Sequence, residues 1–514
     1  MTTQQLSNLV GRLTNFLPGH VEAETTVHKY LGAFRQIESV VEKFSLEQLA
    51  GPDGRAAVLA MIDADQVLSQ KPYHRDQTYS AVLGKVQLML SNTGSVQKEV
   101  EANLIPKTCL NASLLAKPFT ILTGNSGTGK TRSAEDLAAM FRDADDLELA
   151  KNVVLVAVGA DWTDSRNVVG YVNHLREAKM AGAVDSRPVY QSTPVLDLLL
   201  EASKPGRESL PHFLILDEMN LSHVERYFAD FLSAMEARSG AIRFHEEGAG
   251  NTKAETGDLK TESGTPEADF RLPRFEGDTV GVPRSLPYPQ NLFVIGTVNV
   301  DETTYMFSPK VLDRAHVIEF EVDRGEVGKF LDDPKPLQPV PRAAAGQAEA
   351  FLELSLRARG LQEPPLPELP PAVKTAVNKH LLEVLEILQN GRFEFAFRTA
   401  KEVVAYLKVS CELAADKAAW EAGKWKSDLD DEILQKILPK LSGSKRRIEA
   451  LLVRLARYCE TGVVHKIEES TPAAYQSSPV KRADAAKCKF ARSHGKLCDM
   501  IDAVRRAQFV SFIH

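Results

Sequence analysis

The stretch that most constrains this chain is GNSGTGKT, residues 124–131, which fits the pattern G-x-x-x-x-G-K-[ST]. It stands between an apolar run, FTIL (119–122), and a helix-like pattern, RSAEDLAAMF (132–141). Gly124, Gly127 and Gly129 let the backbone turn tightly, so that its N–H groups converge while the following helix adds the positive end of its dipole. A loop of this kind is suited to a phosphate chain. Lys130 would reach the β and γ phosphates, and the Thr131 hydroxyl would hold Mg²⁺. The residues expected to line a bound nucleotide are therefore Gly124, Asn125, Ser126, Gly127, Thr128, Gly129, Lys130, Thr131 and Arg132.

A second motif follows about 90 residues later, in HFLILDEMN (212–220). Four apolar residues before Asp217 and Glu218 place two carboxylates at the C-terminal end of a buried strand, where open α/β sheets bind their ligands. Asp217 is suited to hold Mg²⁺ through water, and Glu218 to polarise the water that attacks a γ phosphate. A third strand candidate, NLFVIGTVN (291–299), ends in Asn299, whose amide could bind that water or the phosphate. Further on, SPKVLDRA (308–315) carries Asp313 and Arg314, and RFEFAFRTAKEVVAYL (392–407) puts Arg398 at a helix start.

Between residues 119 and 322 short apolar runs alternate with longer helical patterns, which points to a parallel sheet covered by helices on both faces. At 514 residues the chain is too long for one core and should hold two to four domains. Residues 1–95 read as a helical domain without a nucleotide or metal motif. The α/β core is assigned to 96–335, with a polar, Gly-rich insertion at 245–290, and helical regions to 336–440 and 441–514. Prolines in PKPLQPVPR and EPPLPELPP bracket a helix-like piece at 343–360.

Composition narrows the function classes. The chain is 43% hydrophobic and 25% charged, typical of a soluble globular protein, and a net charge of −7 excludes a globally basic nucleic-acid binder. The segment from 436 onward is locally basic, with Lys436, Lys440, Lys445, Arg446, Arg447, Arg454 and Arg457, then Lys481, Arg482, Lys487, Lys489, Arg492, Lys496, Arg505 and Arg506, and could contact a DNA backbone or an acidic partner. No apolar run of about 18 residues and no leader pattern occurs, so a cytoplasmic protein without a membrane span is expected. The five cysteines form no CxxC pair and read as reduced structural thiols.

Taken together, GNSGTGKT, DWTDSRNVVGYVN, LILDEMNLSHVERYFADFLSAME, IGTVNVDETTYMFSPKVLDRA and FEFAFRTAKEV resemble the AAA+ ATPases, and within them the McrB-like group of modification-dependent restriction systems. The resemblance covers residues 100–440 and implies a P-loop core of five parallel strands, a helical lid over 336–440 and a homo-oligomeric, hexameric ring. It gives Asn299 the role of sensor 1, Arg398 that of sensor 2, and Arg314 that of a finger reaching the neighbouring subunit's γ phosphate, with Lys310 and Arg226 as competing fingers. Trp162 and Tyr171 fall where this group carries an insert and could project toward a pore or serve as core aromatics. One departure is that the chain reads VNVDETTY, with Asp301 two residues after Asn299, where the best-known GTPases of the group have M-N-x-x-D. The base therefore stays open between ATP and GTP, with ATP as the working choice.

Three readings share this catalytic centre. One is a nucleoside triphosphatase that serves as motor or switch subunit of a restriction or antiphage defence system and controls a separate, McrC-like nuclease. Another is a MoxR-like chaperone that remodels proteins or aids metal insertion. The last is a nucleotide-gated scaffold with little turnover.

Overall fold

Five runs that are apolar at nearly every position become the strands β1 (Phe119–Gly124), β2 (Val153–Ala157), β3 (His212–Asp217), β4 (Leu292–Asn299) and β5 (His316–Glu319). They form one parallel sheet in the order β5-β1-β4-β3-β2. The three central strands are buried along almost their whole length. Unalternating burial of this kind is stable only when both faces are covered. Successive side chains point to opposite faces, so Ile121, Leu214, Val294 and Val298 enter one core, and Leu122, Phe213, Phe293 and Ile295 enter the other.

The structure is a computed structural model that describes residues 108–514 apart from 145–148, 238–239, 247–269, 301–304, 323, 333–339, 344–345, 466–471, 478 and 514, together with Val58 and Leu83. The helical reading of 1–95 and the residue Asp301 lie outside the described residues. The chain divides into two compact units, 1–104 and 105–514. The principal helices of the second unit are α1 (Cys109–Ala116), α2 (Lys130–Met140), α3 (Pro194–Ala202), α4 (Gln347–Arg359), α5 (Pro371–Gln389), α6 (Phe397–Glu412), α7 (Trp425–Glu432), α8 (Lys445–Thr461) and α9 (Ala491–Ala507). No described helix is long and apolar enough to cross a membrane.

Helices that come late in the sequence return to the sheet. Phe351 of α4 lies 5.1 Å from Phe293 and 4.7 Å from Phe141, ring centre to ring centre, and Phe141 stacks on Phe213 at 5.9 Å. Such aromatic contacts add specificity to the apolar area they bury. On the same face, Ala405, Tyr406 and Val409 of α6 pack with Leu114 and Leu115 of α1. Downstream, Ile448, Leu451, Leu452 and Leu455 of α8 and Leu497, Met500, Ile501 and Val504 of α9 join the first core. Their spacing of three and four residues explains why two strongly charged helices pack.

The insertion expected at 245–290 is ordered in its second half, from 270 onward, while 247–269 lie outside the described residues. Ala241–Arg243 pairs antiparallel with Ser285–Pro287, and Arg271–Leu272 with Val282–Pro283. Tyr171–Ala178 pairs with Arg187–Gln191 to form a separate hairpin. Leu175, at the register irregularity between Asn173 and Glu177, is exposed.

A buried ionic cluster joins the late helices to the sheet. Lys436, almost inaccessible to solvent, lies 2.6 Å from Glu402 Oε2 and donates to the backbone oxygens of Asp313 and Ala315 at 2.9 and 3.0 Å. Lys117, at the entry to β1, pairs with the other oxygen of Glu402. Removing one partner of a buried pair leaves the other uncompensated. Lys436→Met should therefore lower stability by about 3–5 kcal/mol, read as a lower thermal unfolding midpoint. A midpoint equal to that of the parent would show that the cluster contributes little.

Candidate functional site

The sheet order creates the site. From β1 the chain passes through α2 toward the far edge strand β2, whereas from β4 it crosses to the opposite edge strand β5. Connections leaving two adjacent strands in opposite directions open a crevice outside their C-terminal ends. Parallel pairing sets Gly124 of β1 beside Asn299 of β4, and Leu216 of β3 beside Gly296. Residues separated by about 80 to 175 positions in sequence thus meet at one end of the sheet.

Hydrogen bonds tie them together. Thr131 Oγ1 donates to Asp217 Oδ1 at 2.7 Å, and Thr297 Oγ1 donates to the same oxygen at 2.6 Å. Thr297 Oγ1 in turn accepts the backbone N–H of Glu218 at 3.1 Å. Asn299 Nδ2 donates to Glu218 Oε1 at 3.0 Å, and Asn220 Nδ2 holds the Asn299 carbonyl at 3.1 Å. Glu218 has φ of +54°, a left-handed conformation uncommon outside glycine and often retained at functional sites. The chain can turn there because β4 offers a bare surface. A Cβ on Gly296 would lie 2.4 Å from Met219 Sδ.

The loop itself is held by its lysine. Lys130 is 4% exposed, and its ammonium donates to Gly124 O at 2.9 Å and Asn125 O at 2.6 Å. Burial lowers its pKa, while the nearby Asp217 and Glu218 carboxylates act to raise it. Gly124, Gly127 and Gly129 all have positive φ, and Gly129 caps α2. Asn125, Ser126, Gly127 and Gly129 face solvent, Thr128 Oγ1 closes the turn on Asn125 O at 2.9 Å, and Arg132 pairs loosely with Asp136 at 3.4 Å. The Thr131 hydroxyl and the Asp217 carboxylate, already within hydrogen-bonding distance, suit Mg²⁺, which takes few protein oxygens and completes its shell with phosphate and water.

Arg314 and Arg398 are elsewhere. Asp313 and Arg314 immediately precede β5, whose first residue, His316, pairs with Thr120 near the start of β1. Arg398 shares a cleft with Lys117, Pro118 and Phe119, also at that end. The length of β1, about 16 Å, thus separates both arginines from the loop. Arg314 donates to Leu232 O at 3.0 Å and Lys310 O at 2.6 Å and pairs with Glu236 at 3.0 Å. Arg398 pairs with Glu236 and Asp313, each at 2.7 Å. The structure therefore does not bring Arg398 to the loop of its own subunit, where a sensor 2 residue was expected. Lys310 and Arg226 are exposed. Although burial alone would raise it, Lys440 and the neighbouring cations hold the Asp313 carboxyl down at about 2.

Other sequence readings divide. Trp162 is partly buried and packs edge-on against Tyr227 at 5.4 Å, whereas Tyr171 is exposed. Part of the basic character after 436 is internally neutralised: Lys440 pairs with Asp313, Arg482 with Asp499, Arg492 with Asp431, Lys496 with Glu319 and Arg505 with Glu449. None of the five cysteines is in a disulfide, and burial pushes the Cys109 and Cys498 thiols up to about 12, out of the reactive range. Thr297, Asn220 and Gly296 carried no signal in the sequence beyond lying in or beside a strand. Their roles come from the register between strands.

A family model described as "Domain of unknown function (DUF8727)" matches residues 353–509, from within α4 to the start of the last strand. The match lies entirely downstream of the phosphate-type loop and covers less than a third of the chain. No curated protein matches the sequence.

The loop glycines should differ in sensitivity. A Cβ on Gly124 would lie 2.5 Å from the backbone oxygen of Phe320, whereas at Gly127 and Gly129 it would meet open space. Gly127→Ala should cost about 1–2 kcal/mol, from left-handed strain alone, and Gly124→Ala clearly more, because backbone must also move. Thermal unfolding of the two variants checks the ranking, and equal midpoints would refute it.

Proposed function

We propose that the chain is a Mg²⁺-dependent nucleoside triphosphatase of the AAA+ type, similar to McrB, that works as a ring and serves as motor or switch for a separate effector such as a nuclease. The observation that carries this reading is the hydrogen-bonded set Thr131, Asp217, Thr297, Glu218 and Asn299, gathered beside Lys130 at the C-terminal ends of adjacent strands. In it a hydroxyl and a carboxylate are placed to hold a divalent cation, and a second carboxylate is oriented by an amide.

The steps follow from these positions. The loop N–H groups and Lys130 bind the β and γ phosphates, for which Lys130 exchanges the loop carbonyls it now contacts. Thr131 and, through water, Asp217 would hold Mg²⁺, which would supply neutralisation of the phosphate charge. Glu218 accepts a proton from water as the water oxygen bonds to the γ phosphorus, and the bond to the β–γ bridging oxygen breaks to release the nucleoside diphosphate. Asn299 keeps Glu218 aligned and contacts the same water.

No cation from the far end of β1 can complete this set within one subunit. The separation of Arg314 and Arg398 from the loop supports a second copy presenting them to the γ phosphate, and that favours ring assembly. Arg314 would first have to leave Glu236 and the two carbonyls that hold it. A finger of this kind is worth about 10³–10⁵ in rate.

Glu218→Gln should retain nucleotide binding and lose hydrolysis by about 10²-fold or more, measured as phosphate release. Undiminished release would remove Glu218 from the reaction. Mixing Arg314→Ala with Lys130→Ala subunits should restore part of the activity that each lacks, because one class of interface regains both groups. Absence of rescue in a mixture that forms rings would exclude Arg314 as the group acting between subunits.

A further inference from the structure

The phosphate end of the site has a direction. Asp217 and Asn299 end β3 and β4 and Glu218 directly follows β3, on one side of β1, so the γ phosphate lies on that side of the loop. The nucleoside must then leave on the other side, past β5. A cleft of about 320 Å³ lies there, lined by Gly124, Asn125 and Thr128 of the loop, by the chain leaving β5 (Glu319 to Val322), and by Lys496, Phe512 and Ile513 near the C-terminus. Its volume is at the lower end for small-molecule sites, and its lining is mixed, with Phe320, Val322 and Ile513 set beside Asn125, Glu319 and Lys496. A neighbouring cleft of about 450 Å³ shares Glu319, Phe320, Glu321 and Lys496 with it, so the space continues along α9.

Its polar centre is built. Lys496 Nζ lies 2.5 Å from Glu319 Oε1 and 4.5 Å from the centre of the Phe512 ring, and both charged side chains are largely buried. Burial raises the Glu319 pKa, against the pull of Lys496. Phe512 and Ile513 are buried, held by the pairing of Phe509–Ser511 with Ser442–Ser444. The backbone is equally fixed on the other wall, where Phe320 N–H donates to Thr123 O at 2.7 Å.

We propose that this cleft receives the base and ribose of the nucleotide, with Glu319 and Lys496 as the pair that reads the base edge, so that the C-terminal segment 491–513 determines base choice. The inference rests on the reading of residues 124–131 as a triphosphate site. At the 6 position adenine carries an amino donor and guanine a carbonyl acceptor, so a carboxylate and an ammonium held in a fixed order match one base edge and oppose the other. The apolar walls from Phe320, Val322 and Ile513 take the flat ring faces. Occupancy also ties α9 to β5 and the loop, coupling nucleotide binding to the helices that follow the sheet.

The test is isothermal titration calorimetry of the full chain with Mg²⁺ and three ligands: β,γ-imido ATP, β,γ-imido GTP and inorganic tripolyphosphate. Lys496→Gln and Glu319→Gln should each weaken binding of the preferred nucleotide about tenfold or more and shrink the difference between the two purines. Tripolyphosphate binding should be unchanged, which also verifies that the variants are folded, whereas Lys130→Ala should lose all three ligands. The proposal is overturned if nucleotide affinity is unaltered in both variants, or if tripolyphosphate affinity falls in step with it. A parent chain that binds none of the three ligands would instead refute the phosphate site itself, and this cleft's assignment with it.

Discussion

One carboxylate oxygen, Oδ1 of Asp217, accepts hydroxyl protons from Thr131 at the start of α2 and from Thr297 on β4. It therefore fixes three elements against each other: the helix after the loop, the strand that carries the acidic pair, and the strand that ends in Asn299. Hydrogen bonds to an ionised acceptor are stronger than neutral ones and demand tighter geometry. Glu218 inherits its position from this node, through Thr297 on one side and Asn299 on the other. Its left-handed backbone is tolerated because Gly296 leaves room for Met219 beneath the turn. The acidic pair is thus less a property of two adjacent residues than of the register between β3 and β4.

The opposite end of the sheet is organised by charge as well, but with the signs shared differently. Glu236 and Asp313 hold Arg314, Arg398 and Lys440, and the backbone oxygens of Asp313 and Ala315 accept from the buried Lys436. Lys436 also reaches Glu402, whose second oxygen pairs with Lys117 at the head of β1. Two arginines, the late helices and the first strand are therefore parts of one network. Because an uncompensated buried charge is costly, a displacement of one member is felt by the others. In a ring, the arginines at this pole and the loop at the other pole are the groups that adjacent copies would bring together.

The C-terminal region is integrated rather than appended. Phe351 packs edge-on against Phe293 in the aromatic cluster on the sheet, α6 packs on α1, and Lys496 reaches Glu319 at the end of β5. Many cations that make this region look like a nucleic-acid surface are neutralised by carboxylates within the chain, which reduces the charge left for an outside partner. The uncharacterised family domain over 353–509 contains α5 to α9 and most of α4, hence both Arg398 and Lys496.

Local chemistry was legible in the sequence. A glycine-rich turn between an apolar run and a helix, and carboxylates at the end of another apolar run, define their conformations by short-range rules, so the loop, Asp217, Glu218, Asn299 and the parallel sheet were readable there. What no local rule supplies is which strands are neighbours. The order β5-β1-β4-β3-β2 gives Thr297, Asn220 and Gly296 their tasks and turns Phe320 into a wall beside Gly124, and the packing of α6 puts Arg398, to which the resemblance gave the role of sensor 2, at the far pole. Sequence periodicity decides how each segment folds. Contacts between residues about eighty or more positions apart decide what it faces, because they follow from the packing of whole strands and helices.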